Sequence, residues 1–258
     1  MLTQAPQSGP LRRGPITYTL AYVIVGSVVN SLLLKAYFAG RAGRYRFTQP
    51  RPSSRGRVAV AGLDPIRILV TGAGLATGYG VTHHEQTLAG PLAADIAHAT
   101  GRGVIIDIRS SPLLPARQAI AAIGVDGAHG YHAAIFTPCY LEAPFAPGAG
   151  MSRHGTAIQL HLLDTGGPGL QLLMLGIPRP SRYSRLNVAA VEAATITNQA
   201  MRRNTHTDPR AQYLAPPDFE SLALERPFDE HYYAQVGHDA ATSLLHAMHL
   251  SPPEHSGP

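Results

Sequence analysis

The chain has 258 residues, which suits one sizeable α/β domain plus an extension. Hydrophobic residues make up 45% and charged ones only 14%, so the surface has few charges to keep it soluble and suits attachment to a membrane or a partner. Net charge is +5, yet lysine occurs once, at Lys35, which excludes a P-loop or a Schiff base from the globular part; the single cysteine, Cys139, excludes an intramolecular disulfide and a cysteine-based zinc site.

Residues 1–15 read as a tail. From Ile16 to Leu34 there is no charge, and a helix of that length spans about 28 Å, close to the hydrocarbon thickness of a bilayer. Tyr18 and Tyr22 near one end are interfacial residue types, and Lys35-Ala36-Tyr37-Phe38 offers no small-residue cleavage site. A membrane-associated helix over 16–40 is therefore expected, with a buried or amphipathic helix as the alternative. Lys35, Arg41, Arg44, Arg46, Arg51, Arg55 and Arg57 follow with no acid among them. They outnumber Arg12 and Arg13, so the positive-inside rule orients the C-terminal domain to the cytoplasmic side. The same run suits anionic lipid head groups. A nucleic-acid partner is not expected, because no aromatic-basic interleaving continues into the domain. Residues 41–65 read as a basic linker punctuated by Pro50, Pro52, Ser53 and Ser54.

The globular part, 66–250, opens on I-R-I-L-V-T-G-A-G-L-A-T-G-Y-G-V over Ile66 to Val81. An apolar strand breaks into Gly72, Gly74, Gly78 and Gly80, a tight turn where open α/β sheets bind ligands. Helical spacing then covers Gln86–Thr100, stopped by Gly101-Arg102-Gly103. A strand is expected over Val104–Ile108, a helix over Pro115–Ile123 and a strand over Tyr131–Thr137. A helix over Ser152–Leu163 and a strand over Leu170–Ile177 follow, then helices over Arg185–Arg203 and Tyr233–Met248. Regular alternation with near-continuous apolar strands indicates a parallel sheet covered on both faces. Residues 251–258 read as a disordered tail.

One reading of the turn is a nucleotide site, with Thr71-Gly72-Ala73-Gly74-Leu75-Ala76-Thr77-Gly78 resembling the glycine turn of short-chain dehydrogenases and Asp107 as the ribose acid. Against it, Asp107 lies 29 residues beyond Gly78, further than the usual spacing of about 20, and the Tyr–Lys pair of those reductases has no lysine to draw on. The whole segment fits another family better. V-T-G-A-G-L-A-T-G-Y-G-V, then Leu88-Ala89-Gly90-x-Leu92-Ala93, then Ala99-Thr100-Gly101-Arg102, resembles the SGNH/GDSL hydrolases. It is most similar to a bacterial branch with an N-terminal apolar helix and a basic linker. The resemblance implies a flavodoxin-like three-layer α/β/α fold, an esterase or lipase ancestry and a bacterial inner membrane. It is close from Ile66 to Arg102, fair to Tyr131, and rests further on upon strand order and Gly176-Ile177-Pro178.

Carried across residue by residue, the family's nucleophilic serine falls on Gly74 and the acid before it on Ala73. The oxyanion glycine falls near Leu113 and the oxyanion asparagine on Leu141. In the closing D-x-x-H, Asp229 is kept, the histidine becomes Tyr232, and His231 stands one residue away; Gly237 matches the glycine that follows. Ester hydrolysis by that route needs a hydroxyl, a base in reach and oxyanion donors, and loss of nucleophile or base removes several orders of magnitude. The resemblance therefore implies a membrane-tethered domain without serine–histidine catalysis, binding a lipid, an acylated glycan or a protein. The alternative is a hydrolase whose nucleophile has moved, to Cys139 with His231 or His238 as base, or to an unrecognised serine. Thr77, Ser110 and Ser111 are further hydroxyls near strand ends, better explained by loop solvation. His83-His84-Glu85 and the His246/His249 pair have ligand character but no identifiable third ligand, so no metal and no cofactor is expected. Asp229, His231 and His238 form the titratable cluster of most interest.

Overall fold

The computed structural model describes residues 50–110, 123–124, 126–138, 149–178, 185–217 and 228–248. The apolar segment at 16–40, most of the helix expected over Pro115–Ile123, and Leu113, Ser111, Cys139, Leu141 and His249 lie outside the described residues, as does the tail from 251. Among the described residues no helix is long and apolar enough to cross a membrane.

Six strands form one sheet: β1 (Arg55–Val60), β2 (Ile66–Gly72), β3 (Val104–Ser110), β4 (Ala133–Thr137), β5 (Gln171–Leu175) and β6 (Ala211–Leu214). Their order is β1-β3-β2-β4-β5-β6, parallel throughout except for β1, which runs antiparallel to β3. Without β1 the five parallel strands follow the order 2-1-3-4-5, the flavodoxin-like arrangement whose switch point lies at the β2/β4 crevice.

The central strands are buried on both faces because their residues alternate between two cores. Ile68 and Val70 of β2, Ile106 and Ile108 of β3 and Ile135 of β4 enter one core; Leu69, Ala134 and Phe136 enter the other. The first core is closed by α1 (Ala89–Thr100), through Leu92 and Ile96, and by α4 (Glu230–Ala247), through Tyr232, Tyr233, Val236 and Leu244. The second is closed by α2 (Ala149–Gly166), through Ile158 and Leu162, and by α3 (Arg185–Thr205), through Met201. This is the three-layer α/β/α architecture implied by the sequence.

The Thr-Gly-Arg stop after α1 has a local cause. Thr100 Oγ1 donates to Ile96 O (2.7 Å), Gly101 N donates to Ala97 O (2.9 Å), and Arg102 clamps the β1–β2 turn through Asp64 Oδ2 (2.7 Å) and Asp64 O (2.9 Å). At the other end of that layer, Asp229 is the N-cap of α4, its Oδ1 accepting from Tyr232 N at 2.8 Å.

Two strands depart from the sequence reading. Arg55–Val60, expected as linker, is the edge strand β1: Val58 is buried against Ile106 while Arg55 and Arg57 project from the other face. That period-two alternation is masked in the sequence by the proline- and serine-rich residues before it. β6 is only four residues long, too short for its periodicity to stand out.

Candidate functional site

The glycine-rich turn sits at the C-terminal end of β2, against the C-terminal end of β4. Gly72 has φ +114°, and a Cβ there would lie 2.0 Å from Thr137 O, so the close approach of β4 demands glycine. Ala73 N donates to Thr137 O (2.9 Å), Thr137 Oγ1 donates to Ala73 O, and Ala76 N donates to Thr137 Oγ1 (3.2 Å). Gly74 begins a single 3₁₀ turn, Gly74–Thr77, in the left-handed region at φ +54°. Thr77 Oγ1 donates to Gly74 O at 2.6 Å. The hydroxyls of Thr77 and Thr137, both buried, thus hold the turn together and are engaged by backbone.

α4 starts beside this turn. Tyr233 Oη donates to Tyr79 O (3.0 Å), and Phe228 O stands where a Cβ on Gly80 would be, 2.0 Å away. Of the residues assigned by resemblance to the base region, Asp229 caps α4 and His231 is exposed. Tyr232 is fully buried, its ring edge-on to Phe228 at 6.0 Å and its hydroxyl donating to Pro217 O at 3.1 Å. Burial pushes the neighbouring Tyr233 phenol far up, and Tyr232 keeps its proton in the hydrogen bond to Pro217 O, so neither ring is placed to act as a base. Tyr79 Oη is buried with no hydrogen-bond partner among the described residues.

The expected cluster of Asp229, His231 and His238 does not assemble. His238 lies nine residues beyond Asp229 on the same helix, about 13 Å along the axis, and its Nδ1 meets Asp95 Oδ2 of α1. Gly237 has a packing reason: a Cβ there would lie 2.8 Å from Leu88 O, where α4 crosses the start of α1.

A second constellation stands at the same end of the sheet. Ser110 N donates to Ser54 O (2.9 Å), and Ser110 is level with Gly72, which puts residues 53 and 54 at the strands' C-terminal edge. There Ser53 Oγ lies 3.3 Å from His84 Nε2 and donates to Arg55 O at 2.5 Å. His84 packs its ring on the Gly56 backbone, and its Nδ1 is buried without a partner among the described residues. Burial pushes the His84 imidazole down, against the opposing pull of Glu85 and the Arg55 carbonyl. Neither Ser53 nor its approach to His84 was legible in the sequence, since the contact spans 31 residues.

Asp107 proves to be mid-strand and engaged. Arg57 Nε donates to its Oδ1 at 2.7 Å, Tyr131 Oη donates to Oδ2 at 2.9 Å, and Arg67 Nη2 lies 3.5 Å from Oδ2. Burial alone would raise this carboxyl, but those hydrogen bonds and the two guanidinium charges overcome it and leave the group below the ordinary carboxylate range. A ribose acid would stand free at the strand's end. Asp107 does neither, and the strand order differs from the 3-2-1-4-5-6 of dinucleotide-binding domains. Among the described residues there is no group of three His, Cys, Asp or Glu side chains placed to hold a metal ion.

No protein-family model matches the chain, and no curated protein matches it in sequence. Several solved structures are similar. Lipase Lip_vut3 from a goat rumen metagenome is 10% identical, with a TM-score of 0.54 over 69% of this chain and 97% of that one. An extracellular lipase of Streptomyces rimosus is 12% identical, with a TM-score of 0.47 over 69% and 99%. The aryl esterase of M. smegmatis is 12% identical, with a TM-score of 0.47 over 70% and 99%. At such identities the likeness is one of fold, and the first of these carries it. The chain has an SGNH-hydrolase-like fold, as the resemblance of its turn implies.

Proposed function

We propose that this SGNH-hydrolase-like domain is held at a membrane by its N-terminal segment and basic linker, is silent by the serine–histidine route, and acts by binding an acylated ligand. The observation that carries this reading is the pair of positions the resemblance gives to nucleophile and base. Gly74 has no side chain, and Tyr232 is buried with its hydroxyl committed to Pro217 O. A phenol with an ordinary pKa near 10 that donates to a carbonyl cannot take a proton from a nucleophile at neutral pH. The neighbouring hydroxyls do not substitute, because Thr77 and Thr137 are bonded to the turn's own backbone. A lipid or acylated glycan is the favoured ligand class, by analogy with the lipase of similar fold; a protein partner is the other class the reading admits. The basic run from Lys35 to Arg57 favours a domain on the cytoplasmic face.

A second reading is kept because of one contact. Ser53 Oγ lies 3.3 Å from His84 Nε2 at the ligand-binding end of the sheet, the spacing of a loosely formed nucleophile–base pair, although as a nucleophile it must turn its proton from Arg55 O to the imidazole. Cys139 is the other relocated nucleophile to test. The purified full chain is expected to resist a fluorophosphonate probe and to leave short-chain aryl esters intact. Labelling or turnover abolished by Ser53→Ala or Cys139→Ala would reject the silent-domain reading and name the nucleophile. A bound acyl chain recovered by mass spectrometry from the purified protein is the positive result expected.

A further inference from the structure

On the sheet face that bears Leu69 and Tyr131, with no residue of the turn in its lining, Arg55, Arg57, Arg67 and Arg109 line a cavity of about 260 Å³ together with Asp107 and Tyr131. The strand register forces these side chains together. Arg55 lies opposite Arg109 and Arg57 opposite Asp107 across the β1/β3 pair, and Arg67 is level with Ile105 of the same row. Opposed residues in an antiparallel pair have Cβ atoms about 5 Å apart, and like charges so placed destabilise the pair.

Asp107 offsets only part of this charge, because its two oxygens are taken by Arg57, Tyr131 and the approach of Arg67. Arg67 is further steadied by its guanidinium lying 5.0 Å from the Tyr131 ring centroid. Arg109 spends one N–H on Ile123 O at 2.5 Å, and among the described residues no carboxylate pairs with Arg55. Four guanidinium groups face one carboxylate, a net charge of +3 around a single hollow. Guanidinium forks match phosphate oxygens two at a time, and a dianion between Arg55 and Arg109 would turn a repulsive pair into two charge-assisted contacts. A monocarboxylate offers half the charge and fewer acceptors. The hollow is small beside pockets for drug-sized ligands, which start at roughly 300 Å³, and suits a headgroup rather than a whole cofactor.

We infer that this cavity is a binding site for a phosphate group, held chiefly between Arg55 and Arg109 and carried either by a soluble phosphomonoester or by a lipid headgroup. The inference is independent of whether the glycine-rich turn retains any chemistry. It is tested with the purified full chain, by thermal unfolding and calorimetry with inorganic phosphate, using chloride at matched ionic strength as the reference. A saturable rise in Tm with phosphate and none with chloride is expected. Arg55→Gln should raise Tm in the absence of phosphate, because it removes the opposed like charge, and should weaken phosphate binding about tenfold or more. Arg109→Gln should weaken binding similarly. A purely structural role for these arginines predicts the reverse pattern, lower Tm with an unchanged phosphate response, and that outcome overturns the site. Equal responses to phosphate and chloride overturn it as well. Sedimentation with phosphatidylcholine vesicles, with and without phosphatidic acid, then distinguishes the source. Phosphatidic-acid-dependent binding that is lost when Arg55→Gln and Arg109→Gln are combined assigns a lipid headgroup; binding that survives, beside a phosphate response that does not, assigns a soluble phosphomonoester.

Discussion

At Gly74 a backbone requirement and a chemical absence coincide. The residue sits at φ +54°, and a Cβ built there would come 3.0 Å from Pro138 O. A serine in that position must hold a left-handed conformation, which costs an L-residue roughly 1–2 kcal/mol. Gly74→Ser is therefore expected to lower stability by about 1–2 kcal/mol in urea unfolding without creating ester turnover, because Tyr232 supplies no base. Turnover by the single variant would show that a base stands within reach after all. Five residues along, the Tyr79 hydroxyl is buried with no partner among the described residues. An unsatisfied buried hydroxyl costs about 1–3 kcal/mol, so Tyr79→Phe is expected to stabilise the ligand-free chain by about 1 kcal/mol. A loss of stability instead would mean that the hydroxyl already has a partner, the bound ligand included.

Among the elements, β1 shows how local composition hides a strand. Its alternation, Arg55 and Arg57 to one face and Val58 to the other, is a period-two pattern only six residues long, preceded by two prolines and two serines. The long helices and apolar strands were legible because each carries enough residues for its period to dominate. β6 was not, at four residues, nor was the capping role of Asp229, which a D-x-x-H match disguises. β1 is also where a pH response is expected. His84 holds its ring on the Gly56 backbone, and burial lowers its pKa from the ordinary value of about 6.5. Below that value the unfolded chain binds the proton more readily than the folded one, so the stabilisation is complete above about pH 6.5 and is lost as pH falls towards the lower folded value. The urea midpoint should therefore drop between about pH 7 and pH 5, and His84→Gln should flatten that slope. An unchanged slope in the variant would remove His84 as its source.

For the whole molecule, the fold was the more legible part because a parallel sheet writes its burial into nearly every strand residue. The site was legible only as a location. Side chains meeting across 31 residues, as Ser53 and His84 do, or four arginines brought to one sheet face by register, leave no local signature. The run from Lys35 to Arg57 ends inside β1, so Arg55 and Arg57 belong both to the cavity and to the segment proposed to meet the membrane. An apolar helix and a basic run hold a membrane by different forces, and the two can be separated. Burial of an uncharged span does not respond to salt, whereas attraction to anionic head groups is screened within about 10 Å at roughly 0.1 M salt. The full chain is expected in the membrane fraction after both high-salt and alkaline washes, and a chain lacking residues 1–40 is expected to leave it in high salt. Release of the full chain by salt alone would reduce the attachment to the basic run, and recovery in the soluble fraction without any wash would end the tethering proposal.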